Sequence, residues 1–336
     1  MAGRITIKDI AIALNMHHST VSRALRNDKR VHEKTRKLVL AYAEENGYQV
    51  NMSALQLRGS LRNVIAVIVP NINHNFFSNI ISLVTNLAEE RGYIVSIFQS
   101  NESTVREKKI IDTVIQNNVA GVIASVAMNT TSSDHFKKLK NFHIPLVLFD
   151  RTSADIKVPK VEVNNAEIIS NAVELLYQKG CRKISHISGP QHVSVFKNRH
   201  QGYLNALTKL GLTFNRSVFI ENGFTTNDGR LAVDELFTLE NGPDGLICDS
   251  NILLIGILLA LKSKKINIPL EVRIVAFSDQ PFIEAFSPGL ICIHQPEELV
   301  AQSSFNLLMK SIENEDADTN DNIVVSANII EPKNNE

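Results

Sequence analysis

Between His17 and Arg30 the chain crowds His17, His18, Ser19, Thr20, Ser22, Arg23, Arg26 and Arg30 into one short stretch. These side chains donate and accept hydrogen bonds or carry a fixed positive charge. The chemistry they suit is recognition, not bond breaking. Projected from a helix, such groups match the donors and acceptors of base edges in a major groove, and the arginines match phosphate. The wider charge pattern agrees. Residues 1–60 carry ten Lys and Arg against five Asp and Glu, although the whole chain is formally neutral, so a small basic unit is set on an acidic body. Other chemistries lack their residues. There is no G-x-G-x-x-G, Walker A, G-x-S-x-G or H-E-x-x-H, and no convergent acid, base and nucleophile. Neither an enzyme nor a bound cofactor is therefore expected. His17-His18 has no carboxylate or thiol at ligand spacing, and Cys181, Cys248 and Cys292 form no C-x-x-C pair. No metal site or disulfide framework is expected, and a reducing cytosol fits best.

The elements that must hold these groups follow from periodicity. Ile7, Ile10, Ala11 and Leu14 recur at i, i+3, i+4 and i+7, and Thr6 with Asp9 has the spacing of a capping box. Val21, Ala24 and Leu25 repeat the stripe from about Ser19 to Arg26. Val39, Tyr42 and Ala43 repeat it again in a third segment that Gly47 ends. Only Asn15-Met16-His17-His18 separates the first two segments, which is the helix-turn-helix pattern. From Val64 onward, apolar β-rich runs alternate with helical stretches. The strands are expected at Val64–Val69, Ile94–Phe98, Gly121–Ala124 and Pro145–Phe149, then at Ile184–Ile187, Val218–Glu221, Gly245–Cys248 and Arg273–Phe277. Two such series predict two doubly wound parallel lobes of α/β class with a cleft between them. The longest apolar run, Ile252 to Leu261, is about half of the ~20 residues a membrane span needs. The N-terminus has no apolar signal region, so a cytoplasmic protein without a membrane partner is expected.

The N-terminal block Ile5-Thr-Ile-Lys-Asp-Ile-Ala-Ile-Ala-Leu-Asn-Met-His-His-Ser-Thr-Val-Ser-Arg-Ala-Leu-Arg-Asn closely resembles the headpiece of the LacI/GalR family of bacterial repressors. So do Val31-His-Glu-Lys-Thr-Arg and the hinge-like Asn51-Met-Ser-Ala-Leu-Gln-Leu-Arg-Gly. The likeness extends through Phe149-Asp-Arg, Ile187-Ser-Gly-Pro, Arg199-His-Gln-Gly-Tyr, Ala276-Phe-Ser-Asp and His294-Gln-Pro. It implies a helix-turn-helix headpiece (residues 1–50), a hinge (51–61) and a two-lobed periplasmic-binding-protein-like core (62–336). The first lobe would take about 62–161 and 294–322, and the second about 162–293 and 323–336. His18, Ser19 and Arg23 fall at the family's base-reading positions. His17, Thr20, Ser22, Arg26 and Arg30 fall near phosphates, and Thr6 and Thr35 join the DNA-contacting set. Leu57 matches the residue that wedges the minor groove, with Ala54 small enough for close hinge-helix approach. Three positions depart from the pattern. His17 and His32 replace helix-capping serines, for which His is a poor substitute, and Asn15 replaces a turn glycine.

In the core, the resemblance implies a ligand at the carboxyl ends of the strands, facing the cleft. Phe76, Phe77, Asp150, Arg199, Phe224, Asn251, Ser278 and Asp279 are the candidates, apolar walls with a few polar groups that suit a polyhydroxylated effector. Neutral-sugar members of the family commonly carry carboxylates where this chain has Asn251 and Ser278. A sugar, a sugar acid and a sugar phosphate therefore all remain open. The implied function is a ligand-responsive repressor of carbohydrate-utilisation genes, bound to a double-stranded, near-palindromic operator. The tail Glu331-Pro-Lys-Asn-Asn-Glu has no heptad helix, which favours a homodimer over a tetramer. The rival reading is a sugar-binding transport component, which has no use for residues 1–60.

Overall fold

Thr6 starts the first helix as the spacing predicts. Its hydroxyl accepts the Asp9 N–H at 3.3 Å while the Asp9 carboxylate accepts the Thr6 N–H at 2.8 Å, so both ends of the first turn are satisfied. The computed structural model describes residues 5–25, 28–48, 62–214, 216–221, 224–238, 242–278, 289–314 and 321–332. They belong to two units, Met1–Arg62 and Asn63–Glu336.

In the first unit, α1 (Ile7–Ala13), α2 (His18–Leu25) and α3 (Glu33–Glu45) close over Ile10, Val21, Ala24 and Val39. Asn15 takes the left-handed conformation, φ +50°, in the turn between α1 and α2, and Gly47 takes it at φ +63° beyond α3; both residue types tolerate that region. The two histidines cap after all. His32 Nδ1 accepts the Lys34 N–H at 3.3 Å. His17 Nδ1 accepts the Ser19 N–H at 3.4 Å and lies 2.8 Å from the Ser19 hydroxyl. A neutral imidazole nitrogen thus substitutes for the serine oxygen.

The second unit holds two six-stranded sheets. The chain runs β1 (Val64–Val69), α4 (Asn75–Glu90), β2 (Ile94–Gln99), α5 (Thr104–Gln116), β3 (Gly121–Ala124), α6 (Asp134–Asn141), β4 (Leu146–Phe149) and β5 (Lys160–Val163). It crosses to the second lobe for α7 (Asn165–Gln178), β6 (Ile184–Ser188), α8 (Ser194–Leu210), β7 (Ser217–Phe219), α9 (Thr226–Leu236), β8 (Gly245–Cys248), α10 (Asn251–Ser263), β9 (Arg273–Phe277) and β10 (Ile291–His294). It returns for α11 (Glu297–Glu313) and β11 (Asn322–Val325), then crosses once more to β12 (Asn328–Ile330). The strand orders are β11-β5-β4-β3-β1-β2 and β12-β10-β9-β8-β6-β7. Every pairing is parallel except β10 with β12.

Each expected strand is present within about a residue or two. The expectation lacked β5, β10, β11 and β12; β5 has no two consecutive apolar residues, and β11 and β12 each begin on an asparagine. It also lacked α6 and α11. Since β5 runs to Val163 and β11 to Val325 within the first sheet, the first and last crossovers fall a few residues beyond 161 and 322. Buried runs such as Ile65–Val69 and Val122–Ala124 have no exposure, as strands covered on both faces require.

Candidate operator and effector sites

The headpiece divides its polar residues between structure and surface. His17 and His18 are exposed with ring centroids 4.3 Å apart, Arg23 is exposed on the last turn of α2, and Ser19 and Thr20 are half-buried. Ser22 is buried and offers a phosphate little surface. The Thr6 hydroxyl is committed to Asp9 at 2.6 Å. Arg30 forks onto Asp28 at 2.7 Å, and those bonds hold the Asp28 carboxyl far below the usual carboxylate range. Reaching a phosphate would mean exchanging that partner. Thr35 is half-buried on the first turn of α3. Arg26, Ala54 and Leu57 lie outside the described residues.

In the second unit, side chains from the carboxyl ends of strands in both lobes converge. His74, Phe76 and Phe77 follow β1, Asp150 and Arg151 follow β4, and Val195, Phe196 and Arg199 belong to the start of α8. Phe224 precedes α9, Asp249 follows β8 and Gln295 follows β10. Five of the expected residues therefore meet: Phe76, Phe77, Asp150, Arg199 and Phe224. Two others are not among the described side chains that meet there. Asn251 begins α10 with its Oδ1 buried and unbonded, and Ser278 is half-buried just after β9. Asp279 lies outside the described residues. Sequence reading missed His74, Val195, Phe196, Asp249 and Gln295 as lining residues and left Arg151 out of its candidates. The signal for Asp249 was available, since it is a charge directly after an apolar strand, two residues before the expected Asn251.

The polar groups are held unequally. Asp150 is buried with φ +57°, and its carboxylate accepts no hydrogen bond from any described residue. Burial pushes its pKa up against the pull of Arg151 and Arg199. Arg199, 3% exposed, donates from Nε to Asn165 Oδ1 at 2.8 Å and from Nη1 to the Asp249 carbonyl at 3.1 Å. Its guanidinium carbon lies 3.4 Å from the Phe277 ring centroid. Among the described residues Nη2 meets no hydrogen-bond acceptor. Burial lowers the Arg199 pKa while Asp249 and Asp150 raise it; an arginine stays charged regardless. Arg151 pairs with Glu102 at 2.7 Å and sits between the rings of Phe77 and Phe196, 5.7 and 5.6 Å from their centroids.

The lobes also touch across the cleft. His192 Nε2 lies 2.7 Å from the Met128 carbonyl, and Met128 packs with Val193, Val195, Phe196 and Phe224. The free space among the lining side chains is about 30 Å³, room for about one water molecule. A sugar-sized ligand would have to part the lobes or move Arg151.

The chain matches two family descriptions: "Bacterial regulatory proteins, lacI family" over residues 6–51 and "Periplasmic binding proteins and sugar binding domain of LacI family" over residues 62–332. Among curated relatives, the HTH-type transcriptional repressor CytR of Escherichia coli (strain K12) is 28% identical over 308 residues, spanning 92% of this chain and 90% of the relative. A periplasmic binding protein/LacI transcriptional regulator from Alkaliphilus metalliredigens QYMF, solved with D-xylulofuranose, is 28% identical with TM-score 0.69, covering 80% of this chain and 97% of that one. The lac repressor dimer bound to operator and the anti-inducer ONPF shares the fold, with TM-score 0.85 at 18% identity, covering 98% and 99% of the two chains. With the headpiece and the core both matched, the chain belongs to the lacI family of bacterial regulatory proteins, as a DNA-binding transcriptional regulator with a ligand-binding core.

Proposed function

We propose that this regulator is a repressor of carbohydrate-utilisation genes whose hold on its operator is set by a sugar or sugar-derived effector. A homodimer reads a near-palindromic site, with His18, Ser19 and Arg23 toward base edges. His17, Thr20, Arg26, Arg30 and Thr35 lie toward phosphates, with Thr6 and Ser22 as supports of the same surface. Ala54 and Leu57 form the hinge contact in the minor groove. The protein works in the cytoplasm and catalyses no reaction. Among the described residues no helix is long and apolar enough to cross a membrane.

One observation carries the effector half of this reading. Among the described residues, the Asp150 carboxylate meets no hydrogen-bond donor and Arg199 Nη2 no acceptor, and both side chains line the cleft between phenylalanine walls. An acceptor beside a donor matches neighbouring hydroxyls on a sugar ring, each of which can donate to one group and accept from the other. The relative solved with D-xylulofuranose supports the same class of ligand. The test is a duplex selected by gel shift from a random pool, then challenged with sugars and sugar derivatives. Asp150→Asn and Arg199→Ala should bind that duplex as wild type does, yet need about tenfold or more effector for the same response, since each leaves a buried partner unpaired. Unchanged responses in both variants would remove the cleft from the reading.

A further inference from the structure

Polar side chains fill a part of the second lobe where apolar ones would ordinarily pack. His186 and Ser188 lie on β6, and Asp249 follows the neighbouring β8; all three side chains are buried. Asp249 Oδ1 accepts from His186 Nε2 at 3.1 Å and Oδ2 accepts from Ser188 Oγ at 2.5 Å. Behind His186, its Nδ1 lies 3.3 Å from Nδ1 of His200 on α8. A carboxyl group whose two oxygens both accept hydrogen bonds is held in its ionised form. Burial pushes the Asp249 pKa up, but the charges of His186 and Arg199 and the bonds from His186 and Ser188 outweigh it and leave the group below its ordinary range. On its cleft side, Asp249 meets the guanidinium that faces the ligand, with Arg199 Nη1 3.9 Å from Oδ1 and 3.1 Å from the Asp249 carbonyl.

We propose that Asp249 sets the charge selectivity of the effector site, by neutralising Arg199 within the protein so that it donates hydrogen bonds without capturing anions. The proposal rests on the effector reading of the cleft and narrows it. Among the described residues, the charges around the cleft are Arg151 and Arg199 against Glu102, Asp150 and Asp249, and Arg151 is already paired with Glu102 at 2.7 Å. A phosphate or carboxylate entering here meets the Asp150 carboxyl group and a guanidinium whose charge is already matched. A neutral polyhydroxylated ring meets only donors, acceptors and rings. The effector is therefore a neutral sugar or sugar derivative, not a sugar acid or sugar phosphate. His186 and Ser188 are positioning residues that act through Asp249.

Inorganic phosphate probes this directly, because only the charge of the ligand is in question. The full chain is titrated at constant ionic strength, by calorimetry and by melting temperature, as wild type, Asp249→Asn and Asp249→Ser, each with and without Arg199→Met. Wild type should show no phosphate binding that depends on Arg199. The Asp249 variants should bind phosphate about tenfold more tightly or better, since removing a carboxylate charge about 7 Å from an anion held on Arg199 outweighs a tenfold change even at a surface-like dielectric. Arg199→Met should abolish that gain. The serine variant carries the same prediction should the asparagine fail to seat between His186 and Ser188. Wild-type phosphate binding that Arg199→Met removes, or a folded Asp249 variant that gains none, overturns the proposal. Neutral sugars read the effector assignment separately. If none binds while the Asp249 variants still gain phosphate, the effector reading fails and the charge filter stands.

Discussion

His200 carries the clearest pH dependence of any single residue described. Burial, with the neighbouring charge of His186, pushes its pKa from 6.5 down to about 4. The unfolded chain thus binds this proton more readily than the folded one. Stability from this group is full above about pH 6.5, declines as pH falls toward 4, and levels off below that. Because the ring is only half-buried, solvent screening leaves the stability this shift carries well below its full value. His200→Gln should therefore flatten the fall in melting temperature between pH 6.5 and 4; an unaltered slope would mean that other groups carry it. Glu107 makes a second residue-scale case. It is fully buried and accepts the Ala127 N–H at 2.7 Å and His135 Nε2 at 2.8 Å. Glu107→Ala leaves these donors, and the Thr130 hydroxyl that also bonds it, stranded in the first lobe and should cost about 3–5 kcal/mol in urea unfolding.

At the scale of elements, α9 and α10 meet through glycine. A Cβ at Gly256 would lie 2.0 Å from the Thr226 carbonyl oxygen, and one at Gly229 would lie 2.1 Å from that of Leu253. The obstacle is helix backbone, which cannot rotate aside. Gly256→Ala should therefore destabilise the second lobe by about 1–3 kcal/mol or more, although alanine is the better helix former. A urea midpoint that rises instead would show that the helices separate freely. The headpiece gives an element-scale test of opposite sign. His32 caps α3 through a 3.3 Å contact, near the limit for such a bond. His32→Ser should slow amide exchange in the first turn of α3, with a gain of about 0.5–1 kcal/mol.

For the core as a whole, the consequential contact is the one across the cleft. Met128, 1% exposed, reaches from the first lobe into the Val193–Phe196 side of the second, with the His192 bond beside it. This arrangement leaves about 30 Å³ at the site, so the conformer that admits a sugar-sized ligand is a more open one. Weakening the contact raises the population of that conformer and so the apparent affinity. Met128→Ala and His192→Ala are expected to lower the effector concentration needed for half response. A higher requirement would identify the closed arrangement as the ligand-bound form.

The sequence by itself determined the kinds and order of the headpiece helices and of eight of the twelve described core strands. The 3.6-residue stripe of Ile7, Ile10 and Ala11 and the continuous apolar runs of β1, β3 and β8 are local signals, and periodicity reports local geometry. The headpiece motif was legible for the same reason, since its residues lie within a few turns of one another. The short strands β5, β10, β11 and β12 were not. The strands β5 and β11 pair with each other across 160 positions, as in the bond from Asn322 to Glu162, and a partner that distant leaves no local signal. The site divided along the same line. Phe76, Phe77 and Asp150 follow strands that can be counted along the chain, while Arg199 and Phe224 could be named from the family resemblance. The tertiary structure alone decided that Asn251 and Ser278 stand outside the lining, that Phe196 closes it, and that Asp249 meets Arg199 with His186 and Ser188 behind. These are meetings between separate strands and helices, and a hydrogen bond spanning 61 or 63 residues leaves no period in the sequence to read.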